Sequence, residues 1–403
     1  VIGAGPSGSI ASALLKRRGH DVLVLERQQF PRFSIGESLL VHCLDFVEEA
    51  GMLEAVEAAG FQYKNGAAFA RNDEYADYDF SDRFTPGRPS TFQVQRARFD
   101  KILADEAEKQ GVEIRYEVEI TGVSEPTASG TRTLTARAVK GGEPYTVEAD
   151  FILDASGFGR TLPKLLNLET PSKFPTRQAL FTHVADHIPE GAFDRNKIRV
   201  TVHPEHPDVW FWLIPFSGGR SSLGVVAAKE FLDRYAGPPD QKLRTLVAED
   251  RGLASLLADA EWDTPTRELH GYAANVMSMS GPGFALLGNA AEFLDPVFSS
   301  GVTIAMRSAS MAVATLHKQL SGERVDWKSD FEIPLRKGID CFRAYVEAWY
   351  DGRFQSVVFH KAQTPEIRRM ISSVLAGYAW DERNPFVAEA QRRLTGLAAW
   401  VGK

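Results

Sequence analysis

Val1-Ile2-Gly3-Ala4-Gly5-Pro6-Ser7-Gly8-Ser9 opens the chain, and its reading decides the fold. Val1 and Ile2 read as the end of a buried strand. Gly3, Gly5 and Gly8 follow with G-x-G-x-x-G spacing, Ser9 to Arg18 carries helical apolar spacing, Gly19 reads as the stop, and Asp21 to Glu26 is a second apolar strand. Glu26 falls roughly 20 residues beyond the glycines, where a dinucleotide-binding βαβ unit needs an acid for the ribose hydroxyls. Gly3 permits the tight turn, Gly5 lets backbone approach a pyrophosphate, and Gly8 lets helix and strand pack closely. Unpaired N–H groups at the helix start, beside Pro6 and Ser7, suit the phosphates. The bland alternative is a glycine turn that binds nothing.

Outward from this unit, a helix is expected from about His42 to Ala50 and another from about Arg98 to Gln110, followed by a strand at Glu113 to Tyr116. Ile120 to Val147 suggests antiparallel hairpins, Phe151 to Ala155 another buried strand, and Ala179 to Val226 an alternating, aromatic second sheet. After a polar helical stretch come a strand at Phe284 to Leu287 and a long helix starting near Gly301. The last 70 or so residues read as helical. The expected fold class is α/β, a Rossmann-like domain with an inserted antiparallel sheet and a helical C-terminal segment. The boundaries are 1-62, 93-165 and 275-330 for the dinucleotide domain, 63-92 and 166-274 for the substrate domain, and 331-403 for the helices. Ligands in such folds lie at the carboxyl ends of the parallel strands and at the domain seam.

Composition narrows the function classes. Across 403 residues, 44% hydrophobic and 25% charged, a large core can form. A net charge of −7 gives no basic field for nucleic acid. No apolar run is long enough for a transmembrane segment, and no secretion leader is visible. Cys43 and Cys341 lie far apart without a C-x-x-C, which fits a reducing, cytoplasmic setting and argues against a thiolate metal site. The histidines, His183 and His187 or His203 and His206, have no clustered carboxylates at ligand spacing, so no metal is expected.

Two later segments bear on the choice between NAD and FAD. One is Asp154-Ala155-Ser156-Gly157. The other is Leu287-Gly288-Asn289-Ala290-Ala291, followed by Asp295-Pro296 and Ser299-Ser300-Gly301-Val302. With the opening glycines these resemble the three FAD-contact motifs of the aromatic hydroxylase-type flavoproteins, and the resemblance implies FAD. That family carries Asp where this chain has Asn289, so one charge-assisted bond becomes neutral, a loss of roughly 1 kcal/mol. The helix starting near Gly301 would place its positive end by the flavin.

Trp210-Phe211-Trp212-Leu213-Ile214-Pro215 matches W-x-W-x-I-P, which resembles the signature of the flavin-dependent halogenases, closest to the branch acting on phenols, pyrroles and carrier-bound substrates. Phe30-Pro31-Arg32, Gly36-Glu37-Ser38, Val94-Gln95-Arg96 with Phe99-Asp100, and Asp295-Pro296-Val297-Phe298-Ser299-Ser300-Gly301 support the likeness over about residues 1 to 320. The resemblance implies an FAD-dependent oxidoreductase in which reduced FAD, O2 and halide generate an oxidised halogen. Trp210 and Trp212 would keep substrate off the flavin, and Lys64, in Lys64-Asn65-Gly66-Ala67-Ala68-Phe69, would relay the halogen to a small aromatic or carrier-tethered substrate. Cofactor contacts are expected at Gly3, Gly5, Pro6, Ser7, Gly8, Glu26, Arg27, Gly36, Glu37, Ser38, Arg96, Asp154, Gly157, Gly288, Asn289, Asp295, Pro296, Ser300, Gly301 and Val302, with halide at the N–H groups of Ser300 and Gly301.

Tryptophan halogenases carry Glu where this chain has Phe298, which argues against a tryptophan substrate. The aromatic stretch Phe342, Tyr345, Trp349, Tyr350, Phe354 and Phe359 is either core or the cap of an aryl pocket. No second nucleotide unit is visible, so a separate flavin reductase is the expected partner, with an acyl or peptidyl carrier protein where the substrate is tethered. The alternatives are a non-halogenating flavin monooxygenase, dehydrogenase or geranylgeranyl reductase-like enzyme, and a flavin-binding protein without catalysis.

Overall fold

The computed structural model describes residues 1–172 and 174–402. Ile2 bridges both Leu25 and Asp154 in parallel. Leu23–Leu25 pairs in parallel with Glu113–Arg115, and Ile152–Asp154 with Phe284–Leu286. The parallel sheet therefore runs 113–115, 23–25, Ile2, 152–154, 284–286, the order of a doubly wound dinucleotide domain. The first helix is Pro6–Arg17, three residues earlier than the apolar spacing indicates. Pro6 presets its own φ and needs no N–H there, so the helix begins on residues that periodicity cannot see.

The second sheet has seven strands, in the order 267–270, 177–185, 220–228, 210–216, 197–202, 66–71, 74–79. Gly66–Arg71 lies parallel to Lys197–Val202, Lys197 opposite Gly66. Trp210–Phe216 is buried along its whole length because both faces of the sheet are covered. Trp210, Trp212 and Ile214 face the main core, whereas Phe211 and Leu213 face a second core closed by helices 239–249 and 251–256. The alternation follows from the two-residue repeat of a strand.

The long helix Ser300–Leu320 packs along Pro6–Arg17. Beyond it, helices at 333–350, 353–359, 365–375 and 390–401 form the C-terminal segment. Phe342, Tyr345, Trp349 and Phe354 are buried there; the rings of Tyr345, Trp349 and Phe354 pack edge-on around Phe298 at 5.4 to 6.2 Å, Trp349 also meets Phe69, and Phe342 meets Trp380. Apart from Tyr350, this stretch is core. No helix among the described residues is long and apolar enough to cross a membrane.

Candidate active site

A cavity of about 680 Å³ runs from the end of the second strand, past the glycine turns, to the inner face of the seven-stranded sheet. At one end lie Glu26 and Arg27. The Glu26 carboxylate accepts from the N–H of Ala4 at 2.7 Å and of Gln28 at 2.8 Å, which fixes both oxygens at the groove. Gly3 has φ +92°, and a Cβ there would sit 2.7 Å from the Ala155 carbonyl oxygen. A Cβ on Gly8 would lie 1.9 Å from the Gly3 carbonyl oxygen. Gly8 therefore serves helix–strand contact and does not line the cavity, whereas Gly5, Pro6 and Ser7 do. The helix they open has no side-chain cap and no acidic residue in its first turn, an arrangement that favours a pyrophosphate.

The next stretch of wall is the loop Gly36-Glu37-Ser38. Arg96 holds it by donating to the carbonyls of Ile35 at 2.5 Å and Gly36 at 3.3 Å while its fork engages Asp100 at 2.7 and 3.0 Å. Arg32, which the sequence reading left without a role, lines the cavity and pairs with the same Asp100 at 2.9 Å. Glu37 meets His183 Nε2 at 2.8 Å.

On the opposite wall are Gly157, Asn289, Pro296, Ser299, Gly301 and Val302. Four further residues of these motifs lie behind the wall. Asp154 is fully buried and accepts from the N–H groups of Ser156 and Leu162, shaping its turn; burial pushes its carboxyl up. Gly288 has φ +51° and donates its N–H to Ser308 Oγ at 2.9 Å. Asp295 caps the turn Pro296–Phe298 through Val297 N–H at 3.0 Å. Ser300 is buried at the start of the long helix, and Ser299, held at φ 55°, presents itself to the cavity instead. Of the two residues expected at the halide, Gly301 lines the cavity and Ser300 does not, and the Ser299 N–H is spent on the Pro296 carbonyl at 2.9 Å.

Trp210 and Trp212 line the far end with Phe33, Phe181 and Tyr272. Their rings are 6.0 Å apart. Trp212 Nε1 donates to Ser222 at 3.1 Å, and Trp210 Nε1 to Tyr350 at 2.9 Å. Gly224 lies opposite Trp212 in register, and a Cβ there would fall 2.3 Å from Cζ2 of the indole.

Lys64 does not reach this cavity. It is 1% exposed, donates to the Leu39 carbonyl at 2.7 Å, and lies 5.3 Å from the centre of the Phe80 ring. Burial strips water from its ammonium and lowers its pKa to about 7. The space beside it is about 10 Å³, room for roughly one water. Ile198 and Ser299 border both this chamber and the large cavity, so the two spaces adjoin there.

The dimensions and donors of the large cavity fit FAD: an uncapped helix start at its middle, a ribose acid at one end, glycines where side chains would intrude, and a second uncapped helix start, Ser300–Leu320, at the other. The FAD binding domain family matches residues 1–330. A flavoprotein/dehydrogenase from Cytophaga hutchinsonii superimposes over 100% of this chain and 97% of its own, with TM-score 0.95 and 44% identity. A tryptophan 2-halogenase of Chondromyces crocatus is 31% identical over 87% of this chain, which spans 65% of that relative's length. A 1H-pyrrole-2-carbonyl-[peptidyl-carrier protein] chlorinase of Pseudomonas fluorescens is 27% identical over 98% of this chain and 92% of its own length. The chain belongs to the FAD binding domain family, and flavin-dependent halogenases are among the proteins it is similar to.

Proposed function

We propose that the protein is an FAD-dependent halogenase of a small aromatic or carrier-tethered substrate. The observation that carries this reading is the pairing of a Trp wall inside the flavin cavity with a buried, easily deprotonated lysine in the adjoining chamber. Bound FAD supplies two-electron chemistry toward oxygen. The protein's own groups do the rest. The N-terminus of Ser300–Leu320 holds developing negative charge at the cofactor. Trp210 and Trp212 fill the space an organic substrate would need to touch the flavin, and they exclude water. Lys64 Nζ, free to shed its proton near neutrality, accepts the halogen from hypohalous acid: an N–halogen bond forms, the O–halogen bond breaks, and water leaves. Reduced FAD comes from a separate flavin reductase.

The test is incubation with reduced FAD, oxygen, bromide and a panel of phenols, pyrroles and indoles, free and carrier-tethered, read by mass spectrometry. Indoles belong in the panel because one relative is named for tryptophan, which weighs against the exclusion drawn from Phe298. Lys64→Ala should keep stoichiometric FAD and lose brominated product. Unchanged bromination removes the role given to Lys64.

A second reading, a flavin oxidoreductase that does not halogenate, is favoured by two observations. The solved structure at 44% identity is named a flavoprotein/dehydrogenase, and the chamber at Lys64 has no room for an aryl ring. It predicts substrate-dependent bleaching of bound FAD under anaerobic conditions and no halogenated product.

A further inference from the structure

Tyr350 is the last residue of the helix Ile333–Tyr350, far from the glycine turns in sequence, yet its hydroxyl sits between two parts of the cofactor chamber. Trp210 Nε1 donates to it at 2.9 Å, and it donates to Asp295 Oδ2 at 2.8 Å. The direction of this chain is fixed by chemistry, because an indole N–H can only donate. Tyr272, itself on the cavity wall, donates to the same Asp295 oxygen at 3.4 Å, and Val297 N–H donates to the other at 3.0 Å. Asp295 is 3% exposed, so nothing but these partners satisfies it. The Arg177 guanidinium covers the Tyr350 ring at 3.8 Å and is anchored on the Asp208 carbonyl at 2.8 Å, which leaves the phenol little freedom to rotate away. Asp295 also immediately precedes Pro296, and Pro296 and Ser299 line the cavity.

We infer that Tyr350 is a positioning residue of the flavin chamber: by bridging the Trp210 indole to the buried Asp295, it locks the aromatic wall of the sheet to the turn that opens the cofactor-facing helix. The C-terminal segment thus completes the site. Without the bridge Trp210 has no partner for its N–H, and only the longer Tyr272 contact still ties the wall to the turn. The inference rests on FAD occupying the cavity and is independent of halogen chemistry, so failure of the halogenase reading leaves it intact.

Tyr350→Phe keeps the ring and its stacking on Arg177 and removes only the bridge. The hydrogen-bond-sensitive indole band in ultraviolet resonance Raman spectra should shift for one of the seven tryptophans. The same substitution in a Trp210→Phe background should give no shift, which assigns the band. FAD should bind within about twofold of wild type, while the resolved shoulder of its visible band flattens as water reaches the ring. Glu347→Gln, exposed on the same helix, should change neither signal. If Tyr350→Phe does not yield folded protein, Asp295→Asn, which keeps the shape and one acceptor, should shift the Trp210 band in the same direction. An unmoved indole band in the folded variant, or a moved band with an unaltered flavin spectrum, overturns the positioning role.

Discussion

Replacing Lys64 by Met should make the protein's stability less dependent on pH, and the size of the effect follows from burial. In the folded chain the Lys64 ammonium has exchanged water for one carbonyl and a ring face, and its pKa falls from 10.5 to about 7. Between those values the unfolded chain binds a proton that the folded chain does not, so wild-type stability rises with pH. The rise is about 1.4 kcal/mol per pH unit, and the whole penalty below neutrality is about 5 kcal/mol. Met fills similar volume and carries no proton. It leaves the Leu39 carbonyl without its donor, a loss of about 1–3 kcal/mol that does not vary with pH. The nearby Cys43 thiol is pushed up by burial and stays neutral through the lower part of this window. Urea unfolding of both proteins should therefore show the stability advantage of Lys64→Met shrinking by about 2–3 kcal/mol from about pH 7.5 to about pH 9.5. A difference that stays flat across that range would refute the claim that Lys64 is a desolvated amine, and with it the basis for its reactivity. Other titrating groups cancel because they are common to the two chains.

Gly224→Ala puts a methyl 2.3 Å from the Trp212 ring. Overpacking should cost about 1–3 kcal/mol, and FAD binding should weaken as the indole is driven into the cavity; denaturation and FAD titration read both. Asn289→Asp restores a charge on the cavity wall close to Arg160, whose Nη1 already bonds the Asn289 carbonyl at 3.1 Å. FAD should bind about fivefold tighter, roughly 1 kcal/mol, by fluorescence-quench titration. Arg96→Lys loses the fork on Asp100 and the hold on the Ile35 and Gly36 carbonyls. The Gly36 loop should loosen, and FAD affinity should fall by about tenfold or more.

Much of the cofactor domain is written locally. Strand, glycine turn, helix and acid lie within 26 residues, and Gly3 and Gly8 each answer to a contact that a Cβ would break. The shared face of Trp210 and Trp212 is also local, since a strand repeats every two residues. What the sequence conceals is which chemistry-bearing residue faces the ligand and which braces the one that does. Asp154 and Asp295 sit in the right motifs, but Asp154 spends its oxygens on backbone N–H groups and Asp295 spends one on its own turn and the other on Tyr350 and Tyr272. Ser299 rather than Ser300 faces the cavity because the turn enters the left-handed region at 299. Tyr272, Tyr350 and Arg32 reach the site from segments whose approach is set only by tertiary packing, and periodicity carries no trace of it. The same holds for Lys64: resemblance singled it out, but its complete burial depends on Leu39, Phe80 and Phe298, which come from three separate stretches.

The strand Gly66–Arg71 lies beside Lys197–Val202, about 130 residues further along the chain. Parallel partners so remote in sequence give high contact order, and the loop-closure entropy must be met before their hydrogen bonds form. A fragment covering 177–270 would lack the neighbour that covers 197–202 and would expose that strand's unpaired backbone edge, an invitation to aggregate. The inserted lobe is thus assembled from two distant stretches of chain, and excising 177–270 as an autonomous piece should fail at that seam.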